Sequence, residues 1–224
     1  MNIAMIRHLV AKDWHFNRLP LAVAGAGGIL SLSLLLANSK GLFYIGSVLL
    51  ITVVISIGIY LAILTVVQER SDGMLPFIMS LPIGMREYTA AKLVANLGLF
   101  LLPWLLLVTG AAGIILAREG VPDGLLPYAV LMLLHLLTGY VLTLAVALIT
   151  GSPGWTIAVG GGANLLLQGF MYWTSHLPDV AATIGGPTVE WVGSIRWLVA
   201  AELSVVAVTL WFTWIRQSRR TDLT

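Results

Sequence analysis

The sequence predicts an all-α integral membrane protein with six transmembrane helices, and two observations carry that reading. Of 224 residues, 58% are hydrophobic and 10% charged, with a mean hydropathy of +0.95, which leaves too little polar material to cover a water-soluble core. The apolar residues also collect into six segments, 19–37, 42–67, 93–117, 125–150, 153–174 and 197–215, each close to or above the roughly 20 residues that a helix needs to cross a bilayer. The whole chain, 1–224, reads as one transmembrane domain.

The first eighteen residues are too polar to span and too regular to be a tail. Around a helical period of about 3.6 residues, Arg7, His8, Lys12, His15 and Arg18 share one half of the wheel and Ile3, Met5, Ile6, Leu9, Val10, Trp14 and Phe16 the other. That pattern predicts a helix over 1–18 lying in the interface, its basic groups toward anionic lipid and Trp14 at head-group depth. The second segment, 26 residues at about 1.5 Å each, would measure about 39 Å against a hydrocarbon core of about 30 Å, so it should tilt or project.

Lysine and arginine counts in the short connections set the orientation. Arg7, Lys12, Arg18, Arg70, Arg86, Lys92, Arg216, Arg219 and Arg220 fall on one side and Lys40, Arg118 and Arg196 on the other, which places both termini in the cytoplasm. The connections 38–41 and 118–124 are short. The longer one, 175–196, is broken by Pro178, Gly185, Gly186 and Pro187; it either dips back as broken half-helices lining a protein cavity or lies as an ordinary interfacial loop.

Polar groups within the spans are costly and therefore informative. Thr52, Ser56 and Tyr60 on the second segment, and Asn164, Gln168 and Tyr172 on the fifth, are each spaced by four and form a stripe on one face. Such stripes suit a water-accessible path or a dimer seam, or else simple hydrogen bonding between helices. Ala22 with Ala26, Ala158 with Gly162, and Gly160 with Asn164 have the small-xxx-small spacing that lets helices approach. His135 and Glu202 are the ionisable groups well inside spans; they read as a charged gate or proton relay, or as hydrogen-bonding partners of neighbouring helices.

Several function classes are excluded. There is no cysteine, hence no disulfide, thiolate metal site or cysteine nucleophile, a composition that fits a bacterial inner membrane. The net charge of +2 and the position of the basic residues beside membrane segments argue against nucleic acid as a partner. Gly151-Ser152-Pro153-Gly154 lies in a predicted turn rather than within a span, so it does not serve as an intramembrane protease nucleophile. No phosphate loop of the GxxxxGK[ST] type occurs. The chain is therefore expected to be no enzyme and to hold no cofactor of its own.

The most distinctive stretch is the hairpin 68–92, QERSDGMLPFIMSLPIGMREYTAAK, between the second and third apolar segments. Asp72 and Gly73 turn the chain, Pro76 suits the first turn of a helix, and Pro82 with Gly84 ends it. Met74, Leu75, Phe77, Ile78, Met79 and Leu81 make the short helix almost wholly apolar, too short to span and too greasy to remain uncovered.

Glu69, Arg70, Gly73, Leu75, Ser80, Leu81, Pro82, Arg86, Glu87, Tyr88 and Lys92 resemble the hairpin pattern of ABC-2 type transporter permeases, the membrane subunits of type V ABC exporters. The resemblance covers the chain in topology and this stretch in motif. It implies that the hairpin is a coupling helix docking on a separate ATPase subunit through Glu69, Arg70, Met74, Leu75, Phe77, Ile78, Leu81, Arg86 and Glu87. It implies that ATP and magnesium are bound by two copies of that partner, and that two permeases pair. Thr52, Ser56, Tyr60, Asn164, Gln168 and Tyr172 would then line the route between them, and 175–196 would form a re-entrant external gate. The expected cargo is an amphipathic peptide, lipid or drug leaving the cytoplasm. The competing expectations are a non-transporting membrane assembly or immunity protein, and a proton-coupled carrier using His135 and Glu202.

Overall fold

The computed structural model describes residues 3–73 and 84–218, and among them all regular structure is helical. In chain order these helices are α1 (Ile3–Phe16), α2 (Arg18–Leu36), α3 (Lys40–Ala62), a π-helical turn (Ile63–Val67), α4 (Gln68–Ser71), α5 (Met85–Ala117), α6 (Leu125–Thr150), α7 (Pro153–Ser175), α8 (Pro178–Thr183) and α9 (Gly193–Ser218). Five stretches, α2, α3 through α4, α5, α6 and α9, are long and apolar enough to cross a membrane, which makes the chain a multi-pass membrane protein. Helix α7 has comparable length, but Asn164, Gln168 and its glycines dilute its apolarity.

The helices start and stop where backbone chemistry requires. Gly73, Gly120 and Gly151 have φ of +68°, +90° and +63°, the left-handed conformation that ends a helix without a Cβ clash. Ser152 caps α7 by accepting the Trp155 amide, with Pro153 at the first helical position. The Gly84 amide donates to the Glu87 carboxylate at 2.7 Å, opening α5. Two rods outrun the apolar segments that announce them. The run Lys40–Ser71 is 32 residues and α5 is 33, about 48–50 Å each at about 1.5 Å per residue, so both reach well past a hydrocarbon core of about 30 Å.

Helix α6 is the centre of the bundle. Leu131, Leu144 and Leu148 are fully enclosed, and α3, α5, α7 and α9 pack around it. Phe100 of α5 stacks on Tyr140 of α6 at 3.9 Å, with Gly58 of α3 beneath them, where a Cβ would lie 3.0 Å from the Tyr140 ring. Helices α2 and α3 meet backbone to backbone: a Cβ on Gly46 would lie 2.9 Å from both the Ser31 carbonyl oxygen and the Leu35 nitrogen. Gly28 seats Leu107 and Gly110 seats Leu32, fitting α2 onto α5. Of the small-residue pairs read from the sequence, Ala22, Ala26 and Ala158 are exposed, whereas Gly160 packs on Ile59. The outer surface carries Leu30, Val48, Leu105, Leu165 and Val208, as a lipid-facing wall would.

Helix α1 does not lie alone. Its half-buried residues Met5, Ile6, Leu9 and Val10 belong to a helix packed along α5, while Arg7, His8, Trp14, His15 and Phe16 stay exposed. At the opposite end of the bundle, the connection 176–192, shorter than the 175–196 read from the sequence because Ser175 ends α7 and Gly193 starts α9, holds one short helix, α8. Val180 and Ile195 are buried there against Leu131 and Met132. The Asp179 carboxylate accepts the Val180 and Ser194 amides at 3.0 and 3.1 Å, and the hydrogen bonds from Ser194 hold that carboxyl below its usual range. The Gly124 amide donates to the Gly186 carbonyl at 3.0 Å, and a Cβ on Gly124 would collide with the Thr183 carbonyl oxygen.

The α2–α3 approach yields a stability prediction. Gly46→Leu should destabilise the protein by at least about 1–3 kcal/mol through overpacking against rigid backbone, read as a lower thermal midpoint in detergent. Gly25→Ala, with nothing within 4 Å of the added Cβ, should leave the midpoint unchanged or raise it.

Candidate functional site at the hairpin root

Four charged side chains from three helices meet where α3–α4 and α5 approach the hairpin. Lys92 of α5 is 1% exposed, Asp13 of α1 is 4% and Glu69 of α4 is 8%. The Lys92 Nζ lies 2.8 Å from Asp13 Oδ2 and 2.7 Å from Glu69 Oε2. Lys12 Nζ closes the set from the solvent side, 2.6 Å from Glu69 Oε1 and 3.8 Å from Asp13 Oδ1. Two ammonium groups thus face two carboxylates. Such a cluster is tolerable out of water only when every charge has its partner. Burial pushes the Asp13 carboxyl above its ordinary range, against the opposing pull of Lys92.

The chain around these residues positions them. Asn17 is buried between α1 and α2, and its side-chain amide donates to the Asp13 carbonyl at 2.7 Å, so the α1–α2 corner and the Asp13 backbone are tied together. One turn beyond Lys92, the Asn96 amide donates to the Lys92 carbonyl at 3.0 Å, and the Tyr140 hydroxyl donates to the Asn96 carbonyl at 3.0 Å. The Thr65 hydroxyl sits 2.7 Å from both the Leu61 carbonyl and Asn96 Oδ1. Thr65 lies in the π-helical turn, a widened turn of the kind frequent at functional positions. The π-helical turn, α5 and α6 are therefore joined by polar contacts directly beneath the ionic cluster.

Arg70 extends the assembly to the C-terminal end of α6. Its Nη2 donates to the Leu148 carbonyl at 2.7 Å, and the Gln217 side-chain amide donates to the same oxygen. That carbonyl is in the last turn of α6, where oxygens lack intrahelical partners and the helix dipole favours a cation.

The remaining residues singled out in the sequence are dispersed. Met74, Leu75, Phe77, Ile78 and Leu81 lie outside the described residues. Arg86 is exposed, and Glu87 is engaged in opening α5. Thr52, Ser56 and Tyr60 are exposed along a groove between α2 and α3 shared with Leu19, Val23 and Gly27. Asn164, Gln168 and Tyr172 are exposed on α7, and the two amides make no side-chain hydrogen bond among the described residues. Asn164 also borders a narrow cleft with His135, Gly139 and Ile59. His135 and Glu202 are brought together: Nδ1 lies 2.7 Å from Oε1, and the imidazole stacks on Phe170 at 4.1 Å.

Sequence reasoning missed Asp13, Asn96, Thr65 and Gln217. A signal for Asp13 existed, because it is the lone acid in an otherwise basic N-terminal helix. No family model, no curated protein and no solved structure matches the chain.

The charge balance predicts unequal responses. Lys92→Met leaves two carboxylates facing each other with Lys12 alone and should cost about 3–5 kcal/mol. Asp13→Asn leaves Lys92 its Glu69 partner and should be markedly milder. Because the folded Asp13 pKa is raised, its protonation stabilises the folded state. That contribution is full below the ordinary value of 3.8 and is lost as pH rises through the folded pKa. Unfolding midpoints across this acidic window should show the slope in wild type and lack it in Asp13→Asn.

Proposed function

We propose that the chain is the permease subunit of an ATP-driven exporter of the ABC-2 type. Six transmembrane helices, α7 among them, pair with those of a second copy in a bacterial inner membrane, with both termini cytoplasmic. Two copies of a separate ATPase bind ATP and magnesium. The permease itself catalyses nothing and moves an amphipathic substrate outward.

The observation that carries this reading is the buried ionic cluster at the hairpin root. Glu69 and Lys92 flank the 68–92 stretch in sequence and are held 2.7 Å apart, so a force applied to the hairpin meets a root that moves as a unit. Asp13, Asn96 and Arg70 connect that root to α1, α3, α6 and α9. A hairpin that only anchored the chain to lipid would not require charges from three helices buried behind it. ATP biases the permease through such a root if the docked ATPase binds the two states unequally. The exposed Asn164 and Gln168 support a second element of the reading. Amides facing hydrocarbon unpaired are costly, and a facing copy or a water-filled path would satisfy them.

A proton-coupled carrier is the second reading, favoured by the His135–Glu202 contact. It differs in needing no ATP.

Two measurements test the exporter. Phe77→Asp should abolish copurification of the ATPase while the permease stays folded in the membrane, because it would bury an unpaired charge in the docking groove. Retention of full, stimulated ATPase would reduce the hairpin to an interfacial anchor. In this cysteine-free chain, single cysteines at Asn164 and Gln168 should react with small thiol reagents or crosslink between copies. Complete inertness beside a reactive control at Asp72 would remove the seam.

A further inference from the structure

Three features converge on the C-terminal end of α6. Arg70 and Gln217 approach the Leu148 carbonyl from different elements, one beside the Asp72–Gly73 turn and the other in the last turn of α9. Gly151, immediately past α6, leaves the space that Arg70 occupies: a Cβ there would stand 2.8 Å from Arg70 Cδ and 2.9 Å from Nη1, and its φ of +63° disfavours any side chain. Gln217 is 1% exposed, and its Oε1 has no hydrogen-bond partner among the described residues. A buried amide with one end unsatisfied costs stability that an apolar residue of similar size would not. What Gln217 supplies is its donor to Leu148.

Helix α9 is fastened to α6 at two further depths. His135 meets Glu202 midway along both helices, and Leu131 and Met132 pack with Ile195 near the opposite end. Helices α6 and α9 are thus joined along their length, and Arg70 is a direct hydrogen bond from the hairpin root to that pair.

We propose that Arg70 is the positioning residue that carries displacement of the hairpin into the α6–α9 pair, with the Leu148 carbonyl as the point of contact and Gly151 as the clearance it needs. This rests on the exporter reading only for what pushes the hairpin. The coupling is a property of the chain itself. The route differs from one running through α3 and α7, whose polar stripes suggested the path.

Hydrogen–deuterium exchange on the purified full chain in lipid nanodiscs provides the test. Arg70→Gln should raise exchange at least tenfold at 147–152 and, across the shared carbonyl, at 212–217. Arg70→Lys, which keeps a cation at the helix end, should recover part of the protection. Gly151→Ala should reproduce Arg70→Gln, and the double variant should add nothing beyond either, as expected of groups acting as one unit. If Arg70→Gln fails to accumulate, Gly151→Ala carries the comparison with the full effect and Arg70→Lys with an intermediate one. A rise confined to 147–152 overturns the proposal and leaves Arg70 a local helix cap; so does no rise at all. In the second arm, Gly151→Ala, which lies outside the residues expected to dock, should keep its copurifying ATPase yet lose at least tenfold of the permease-dependent stimulation of ATP hydrolysis. Joint loss of binding and stimulation counts against transmission. Should wild type bind no ATPase, the exporter reading falls, and the exchange arm alone decides on Arg70.

Discussion

An ammonium group enclosed at the edge of an apolar bundle is the constraint on which the rest of the structure depends. Lys92 has two carboxylates within 2.8 Å, and they come from positions 79 and 23 residues away in the chain. A lone buried cation would be neutralised or expelled. The pairing therefore dictates that α1 fold back onto α5 and that α4 end beside both. The exposed side of α1 keeps its basic residues and its aromatic rings because the one acid is committed inward. The cluster thus ties α1, α4 and α5 together at this end of the bundle.

Polar contacts recur at successive depths along the bundle and differ in kind. Ions gather at the hairpin end. One turn inward, Thr65, Asn96 and Tyr140 form a hydroxyl–amide group. Midway, His135 meets Glu202. At the opposite end, Arg118 donates to the Leu35 carbonyl at 2.7 Å and lies over the Phe43 ring. Between apolar helices in lipid the hydrophobic effect selects no particular partner, so close packing at small residues and directional hydrogen bonds decide which faces meet. Gly46, Gly58 and Gly110 supply the first, and these polar groups supply the second. Asn164 and Gln168 stand outside that scheme, exposed on α7 with no side-chain hydrogen bond among the described residues.

Much of the fold was legible in the amino-acid sequence. Long apolar runs demand helices because every backbone amide away from water needs an internal partner, and glycine at 73 and 151 marks the left-handed exits. The misplaced boundaries share one cause. Apolarity reports depth in the membrane and not helical state, so the helical run from α3 through α4 continues past charged residues to Ser71 and α5 already begins at Met85. Similarly, a helical wheel showed that α1 has two faces but not that α5 would cover one of them.

The sequence by itself determined the membrane class, the helical content, an apolar stretch flanked by charges between two spans, and two ionisable residues inside apolar helices. These follow from transfer free energies and backbone hydrogen bonding, which are local properties of a segment. Tertiary structure alone decided that Asp13 pairs with Lys92, that His135 pairs with Glu202, and that Arg70 and Gln217 share one carbonyl. Each of those contacts joins residues 67 to 79 positions apart, Arg70 and Gln217 reaching Leu148 over 78 and 69. No periodicity encodes such separations. They are set by which helix faces can approach closely, and that depends on the packing of the whole bundle.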